Sequence, residues 1–115
     1  MIQLEIACNS YQSCLNAVNA GANRIELFEN LADGGCTPSF GMLKKTSQLS
    51  LPIYVMIRPR GGNFNYTNEE IDIMLEDIEV CKQFAVDGIV FGCLTASGEI
   101  DKALSKKLLD AWNGP

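Results

Sequence analysis

The stretch IYVMIR at Ile53–Arg58 decides the fold class of this chain. Aliphatic residues alternate in it with Tyr54, Met56 and Arg58, and such alternation is typical of a β-strand. One face is therefore uniformly aliphatic and suits packing under helices, while the other face carries a charge. An open doubly wound sheet buries both faces and usually shows continuous apolar runs, so the charge favours a closed barrel.

The same alternation recurs in two earlier stretches. In Ile2–Cys8 the aliphatic positions alternate with Glu5, and in Arg24–Phe28 they alternate with Glu26. A fourth strand is predicted at Gly88–Leu94. Because interior residues near the strand ends build the active site of a TIM-type barrel, we expect the three charged side chains to face the barrel interior.

A helical pattern follows each strand. The first helix is predicted between Ser10, a good N-cap, and Gly21, and the second between Ser39 and about Leu49. The third helix is predicted to start at a T-x-x-E capping box, and the fourth near Asp101. In both of these helices apolar residues recur at helical spacing. The capping box is Thr67 and Glu70, and the apolar positions are Ile71, Met74, Leu75, Ile78, Cys81, Ala85, Leu104, Leu108 and Trp112.

Strands that alternate with helices predict βαβ units and a parallel sheet. We therefore predict an α/β fold with parallel (β/α) units of a TIM-type barrel. The chain holds about four of the eight strands, which is a half barrel. No linker pattern interrupts it, so residues 1–115 are predicted to form one partial domain.

The composition excludes several classes of function. Net charge is −5 and the basic residues are scattered, so neither a nucleic-acid partner nor a membrane surface is expected. No stretch approaches the ~18 apolar residues that a membrane helix needs. The start Met-Ile-Gln-Leu-Glu has neither a basic region nor a long apolar region, so a cytoplasmic protein is expected. Five cysteines at irregular spacing without a C-x-x-C pair argue against a disulfide framework and against a zinc knuckle. Histidine is absent, which excludes imidazole chemistry within this sequence.

Two glycine-containing loops follow the second and third strands. Paired glycines let the backbone approach a ligand, and two guanidiniums suit a phosphate or a carboxylate. The predicted ligand-binding residues are Gly34, Gly35, Arg58, Arg60, Gly61 and Gly62. Ordinary turn chemistry with a surface arginine is the alternative interpretation.

The interior charges Glu5, Glu26 and Arg58 are candidate catalytic residues. A carboxylate could accept a proton while Arg58 binds an anion. The alternative is a buried Glu–Arg ion pair that orients the strands, in which an unpaired partner would cost roughly 3–5 kcal/mol.

The cysteines divide by position. Cys14 and Cys81 fall in helical patterns and are predicted to pack in the core. Cys8, Cys36 and Cys93 fall at or after the carboxyl ends of strands, where a cluster of soft thiolates could bind Cu(I). Three unrelated free thiols are the alternative interpretation.

Six sequence blocks, in this order and spacing, resemble the CutC family. They are LEIAC at Leu4–Cys8, GANRIEL at Gly21–Leu27, DGGCTPS at Asp33–Ser39, IRPRGGNF at Ile57–Phe64, DGIVFG at Asp87–Gly92 and GEID at Gly98–Asp101. The resemblance implies a cytoplasmic TIM-barrel protein of copper homeostasis that binds copper in some members. It also implies that Glu5, Glu26, Arg58 and Arg60 surround the barrel mouth.

The chain departs from the family pattern in its thiols and in its length. Phe28 stands where many members carry cysteine, and Ala7 stands where some members do, although Cys8 matches a cysteine of certain bacterial members. Asn63 replaces a common aspartate. A complete barrel needs eight strands and ~200–250 residues, and the family's Phe-His-Arg segment on the fifth strand is absent. We therefore expect a truncated product or self-association that completes the half barrel, because open sheet edges invite pairing.

Three functions remain open from the sequence. The first is a copper-handling protein that binds Cu(I) through thiolates. The second is an enzyme or enzyme remnant that binds a small anionic compound at the barrel mouth. The third is a non-catalytic remnant in which the interior charges are structural.

Overall fold

Strands and helices alternate along the chain in the computed structural model, which describes residues 1–114. The strands are β1 (Glu5–Cys8), β2 (Arg24–Leu27), β3 (Ile53–Met56) and β4 (Gly88–Val90). The helices are α1 (Tyr11–Asn19), α2 (Phe40–Thr46), α3 (Asn68–Gln83) and α4 (Lys102–Asn113), with a short 3₁₀ helix at Leu31–Asp33. The predicted domain extends to Pro115, which lies outside the described residues. Within them, no helix combines the length and the apolar character that crossing a membrane requires.

The four strands form one parallel sheet in the order β1-β2-β3-β4, so each strand lies beside the next one in the chain. A doubly wound sheet would reverse its order at a switch point. The sequential order is that of consecutive barrel strands, and the predicted parallel (β/α) architecture is confirmed.

The core lies between the aliphatic face of the sheet and the helices. Ile25, Leu27 and Val55 are fully buried there, together with Met74 and Leu108 from the helices. Alternation along the strands sends the side chains between them to the opposite, uncovered face of the sheet. The predicted separation of an aliphatic face from a charged face is therefore confirmed.

The helices begin where their capping residues predict. Ser10, Ser39 and Asp101 each accept a hydrogen bond from a backbone N–H of the first helical turn, and Thr67 does so at the start of α3. The expected place of Ala85 on the buried face of α3 is wrong, because that helix ends at Gln83. Ala85 is exposed and has a positive φ of 54°.

All four strands are shorter at one end than the sequence predicts, and β2 ends one residue early, at Leu27. Ile2 and Leu4 are exposed rather than packed, because β1 begins only at Glu5, where its pairing with β2 starts. Strands β3 and β4 also end early, at Met56 and at Val90, because the chain turns there into the loops that lead to the next helices.

Candidate functional site

Arg58 holds together two loops at the carboxyl ends of the strands. Its Nη1 donates to the carbonyl oxygen of Asp33 at 2.6 Å and to that of Gly35 at 2.7 Å. Its Nη2 donates to the carbonyl oxygen of Gly62 at 2.9 Å. The guanidinium therefore joins the loop after β2 to the loop after β3, and no carboxylate pairs with it among these contacts.

A cavity of about 260 Å³ lies beside Arg58, and Met56, Phe64, Val90 and Phe91 form most of its apolar lining. The guanidinium carbon of Arg58 lies 4.9 Å from the centre of the Phe64 ring. Arg58 is only 9% exposed, and its Nε is buried without a hydrogen-bond partner in the described chain. An uncompensated donor beside an apolar cavity is a site where a small ligand could supply an acceptor.

Arg60 is occupied by its own loop and by α3. Its Nε donates to Glu70 Oε2 at 2.6 Å, and its Nη atoms donate to the carbonyl oxygens of Gly61, Asn63 and Asn65. The Arg60 guanidinium holds the pKa of the Glu70 carboxyl below its ordinary value. Few donors of Arg60 are left for a ligand, so its predicted role in anion binding stays a prediction.

Two loop glycines are needed because neighbouring side chains approach their backbone closely. A Cβ at Gly35 would lie 2.9 Å from Met56 Sδ, and a Cβ at Gly61 would lie 2.7 Å from Asp33 Cβ. Gly35 also has a φ of +104°, which L side chains rarely adopt. These glycines let the loop after β2 pack against Met56 and against the loop after β3. Their predicted role in binding a ligand stays a prediction.

Glu5 and Glu26 lie in a second polar group on the uncovered face of the sheet. Glu5 forms an ion pair with Arg24, and the Arg24 guanidinium lies 4.5 Å from the centre of the Tyr54 ring. Burial raises the pKa of the Glu26 carboxyl, and its hydrogen bond to Glu5 raises it further. The two glutamates are therefore direct neighbours that share a partly desolvated environment.

The three predicted catalytic residues do not form one group. Glu26 lies opposite Tyr54 in the β2–β3 register, and Arg58 follows Tyr54 by four residues. At about 3.3 Å per strand residue, Arg58 lies roughly 13 Å further along the strand direction. The expectation of one polar floor built by Glu5, Glu26 and Arg58 is corrected to two groups, while their catalytic roles stay predictions.

The predicted copper-binding trio of Cys8, Cys36 and Cys93 is not brought together. No group of three or more cysteine or acidic side chains within residues 1–114 could hold a metal ion. Cys36 lies in the loop after β2, where Asn30 Nδ2 is 3.6 Å from its Sγ. Cys93 lies under the start of α4, and burial raises the pKa of its thiol. Each thiol is buried in a separate environment, so this prediction is wrong.

Cys8 instead lies beside Cys14, which the sequence assigns only to core packing. Cys8 is on the helix-facing side of β1 and Cys14 is in the first turns of α1, and they are 1% and 0% exposed. Burial, followed by the neighbouring Cys8 thiol, raises the pKa of Cys14 to about 12. Thiolates are soft ligands, so these two neighbouring thiols are a candidate site for a soft metal ion.

Known proteins of similar sequence and structure identify the family of this chain. The model of the CutC family matches residues 2–114. The chain belongs to the CutC family. The crystal structure of the CutC protein from Streptococcus agalactiae superposes with a TM-score of 0.92 at 39% identity. This match covers 99% of this chain and 56% of that one.

The relatives in this family are longer than the chain. A CutC family protein of Parabacteroides distasonis is 49% identical over 110 residues, which cover 94% of this chain and 45% of that protein. A human protein named copper homeostasis protein cutC homolog is 47% identical over 107 residues, which cover 92% of this chain and 39% of that protein. The chain thus spans less than half the length of these two relatives.

The sequence patterns do not predict a site role for three residues. They place Arg24 only in an alternating strand, Glu70 only in a capping box and Cys14 only in core packing. For Cys14 a signal exists, because Cys8 falls on the aliphatic side of its strand and therefore faces the following helix. For Arg24 and Glu70 the partners are set by long-range contacts.

Proposed function

We propose that this chain takes part in copper homeostasis in the cytoplasm and that it binds Cu(I) between the thiols of Cys8 and Cys14. The burial of these two thiols beside each other, between β1 and α1, is the observation that carries the proposal. Human and mouse relatives named copper homeostasis protein cutC homolog support the copper link. The five free cysteines of the described chain suit a reducing compartment, which supports the cytoplasm.

The chemistry of the pair suits Cu(I) for two reasons. Thiolates are soft ligands, and soft ligands select Cu(I). Two thiolates and one Cu(I) carry a net charge of −1, and the amino-terminal end of α1 places positive dipole charge near Cys14. The helix would therefore offset part of the cost of burying that charge.

Binding at this pair must release protons. Burial raises the pKa of Cys14 to about 12, so this thiol is protonated at neutral pH. Because a metal ligand must be a thiolate, each coordinated thiol gives its proton to water when Cu(I) binds. The apparent Cu(I) affinity should therefore rise with pH over the range 6–8.

Anaerobic titration of Cu(I) against a competing chromophoric chelator tests this site. We expect one Cu(I) per chain, lost in Cys8→Ala and in Cys14→Ala. Cys81→Ala is the matched control, because Cys81 is also fully buried and its thiol pKa is also raised to about 12 by burial. Unchanged stoichiometry in Cys14→Ala would exclude the pair as the copper site.

A second candidate function is the binding of a small anionic compound at the cavity beside Arg58. The unpartnered, buried Nε of Arg58 favours it, because a phosphate or carboxylate oxygen would supply the missing acceptor. The apolar walls from Met56, Phe64 and Phe91 would cover the rest of such a compound. This candidate uses Arg58 and the Gly34–Gly35 loop but needs no donor from Arg60.

Nuclear magnetic resonance of the arginine Nε–H groups tests this candidate, with inorganic phosphate and benzoate as probes. We expect saturable shifts of the Arg58 Nε–H signal. The Arg60 Nε–H, which is already bonded to Glu70, serves as the control in the same spectrum. An Arg58 signal that responds to neither probe would exclude the cavity as an anion site.

A further inference from the structure

We propose that the cavity beside Arg58 binds the carboxylate of a small apolar acid, and that the hydroxyl of Tyr66 is the second donor to this carboxylate. The inference rests on the anion site proposed above, in which Arg58 Nε is the first donor. It adds a residue that no sequence pattern assigns to the site, and it selects a monocarboxylate with an apolar body over a phosphate.

Two polar atoms near the mouth, Arg58 Nε and Tyr66 Oη, are buried without a hydrogen-bond partner of good geometry in the described chain. The two atoms belong to one cluster of side chains. Burial raises the pKa of the Tyr66 hydroxyl, and the nearby Arg58 guanidinium opposes this rise by its charge and by hydrogen bonding. Because buried polar atoms are normally satisfied, the two neighbouring deficits point to an acceptor that comes from a ligand.

Contacts with the rest of the mouth hold both donors in place. The Nη atoms of Arg58 donate to loop carbonyl oxygens, so Nε is the nitrogen of this guanidinium that has no acceptor. The Arg60 guanidinium carbon lies 4.9 Å from the centre of the Tyr66 ring, and Arg60 is itself paired with Glu70. A ligand therefore meets two donors that the protein already holds, which lowers the entropy cost of binding.

The Phe64 ring covers the Arg58 guanidinium at the edge of the cavity. Its centre lies 4.9 Å from the guanidinium carbon, and Phe64 is 36% exposed. The main chain of Phe64 is fixed, because its carbonyl oxygen accepts from the Leu94 N–H at 2.9 Å. Rotation of the side chain to another staggered conformation needs no change in this main chain. Such a rotation opens the route by which a carboxylate in the cavity reaches the two buried donors.

The charges and walls of the cavity favour a monocarboxylate. Arg58 is the one cation among the described residues that line it. A single guanidinium balances the charge of a carboxylate, whereas a phosphate dianion would keep an unbalanced charge in an apolar site. The two oxygens of a carboxylate also match the two donors. Met56, Val90 and Phe91 provide apolar walls that suit the apolar body of such an acid.

Nuclear magnetic resonance titrations of the unmodified chain test the ligand class, with benzoate, benzamide and inorganic phosphate as probes. The signals to follow are the Nε–H of Arg58 and the Cζ carbon of Tyr66. We expect benzoate to shift both signals with one common Kd. Benzamide, the neutral analogue, and inorganic phosphate should each bind at least about tenfold more weakly, because the charged hydrogen bonds or the charge balance are lost. This measurement does not depend on how any variant folds.

Tyr66→Phe removes only the hydroxyl, and we expect it to weaken benzoate binding by about tenfold. Tyr11→Phe is the matched control, because it removes a hydroxyl at the start of α1, where the ring contacts Lys45 instead. This control should bind benzoate like the parent chain.

The outcomes separate the inference from the anion site on which it rests. Arg58 shifts with benzoate, but an unchanged affinity in Tyr66→Phe or an unshifted Tyr66 Cζ signal, would overturn the role of Tyr66 and leave the anion site standing. Tighter binding of phosphate than of benzoate would overturn the ligand class. An Arg58 signal that no probe shifts would overturn both the anion site and this inference.

Discussion

Arg58 shows how one residue can organise the carboxyl end of the sheet. It follows β3 on the uncovered face, but its guanidinium turns to the main chain of two loops rather than to a carboxylate. The bond to the Gly35 carbonyl is buried and the other two are partly buried. Hydrogen bonds from a charged donor are strong, and the loss of the buried one leaves the Gly35 oxygen unsatisfied. Arg58 is therefore a structural residue of the mouth whatever ligand the neighbouring cavity takes.

We predict that Arg58→Lys lowers the free energy of unfolding by roughly 2–4 kcal/mol, because one ammonium does not reach three carbonyl oxygens in the geometry of a guanidinium. Urea unfolding followed by circular dichroism measures this. Arg24→Lys is the control, since its half-exposed pair with Glu5 should cost no more than about 1 kcal/mol. Equal effects of the two substitutions would contradict the structural role of Arg58.

A second prediction at the residue scale concerns Glu26. Its pKa in the folded chain is raised above the ordinary value of 4.5, chiefly by burial. An acid with a raised folded pKa stabilises the folded state at low pH, and this stabilisation is lost as the pH rises through the folded pKa. The neutral variant Glu26→Gln should therefore gain stability relative to the parent chain between pH 4 and pH 7.5.

Parallel urea titrations at the two pH values measure this difference. Glu99→Gln in the exposed loop before α4 is the control, and its stability difference from the parent should not follow the same trend. A Glu26→Gln difference that stays constant with pH, or that reverses sign, would mean that Glu26 is not desolvated beside Glu5.

At the scale of elements, α3 connects the core to the mouth. Its capping box joins Thr67 to Glu70, and Glu70 also receives Arg60 from the preceding loop. The first turn of α3 therefore fixes the end of the loop that begins at Arg58. Local capping and the conformation of a site loop are thus coupled through one carboxylate.

We predict that Thr67→Ala lowers the free energy of unfolding by about 1 kcal/mol, because the N–H of Glu70 loses its capping acceptor. Asn68→Ala, one residue later at an exposed position, should change it by less than about 0.5 kcal/mol. Thermal and urea unfolding of both variants measure the difference. A neutral Thr67→Ala would show that the loop and the helix are fixed by other contacts.

At the scale of the whole molecule, the two faces of the sheet have different surroundings. The aliphatic side chains of the strands are buried under the helices, whereas the Glu5 and Arg24 side chains on the other face are 29% and 37% exposed. The charged side chains of the ion pair therefore lie outside the hydrophobic core, and their partly solvated surroundings limit their contribution to stability.

Sequence alone determined the four β/α units, their parallel class, the starts of the helices and the side of the first three strands that bears charge. These features depend on periods of two and 3.6 residues and on caps within one turn, all of which act between near neighbours. The positions where the strands end were less predictable, as Ile2 and Leu4 show, because an alternating pattern does not say where a neighbouring strand begins.

Only the tertiary structure decided which side chains meet. The register of β2 on β3 separates Glu26 from Arg58, and the fold of two loops gives the Arg58 guanidinium its carbonyl partners. The packing of α1 on β1 brings Cys14 to Cys8, while Cys36 and Cys93 are buried apart from them. Such contacts join residues that are distant in the sequence. They depend on strand register and on loop conformation together, and no local sequence pattern encodes either of them.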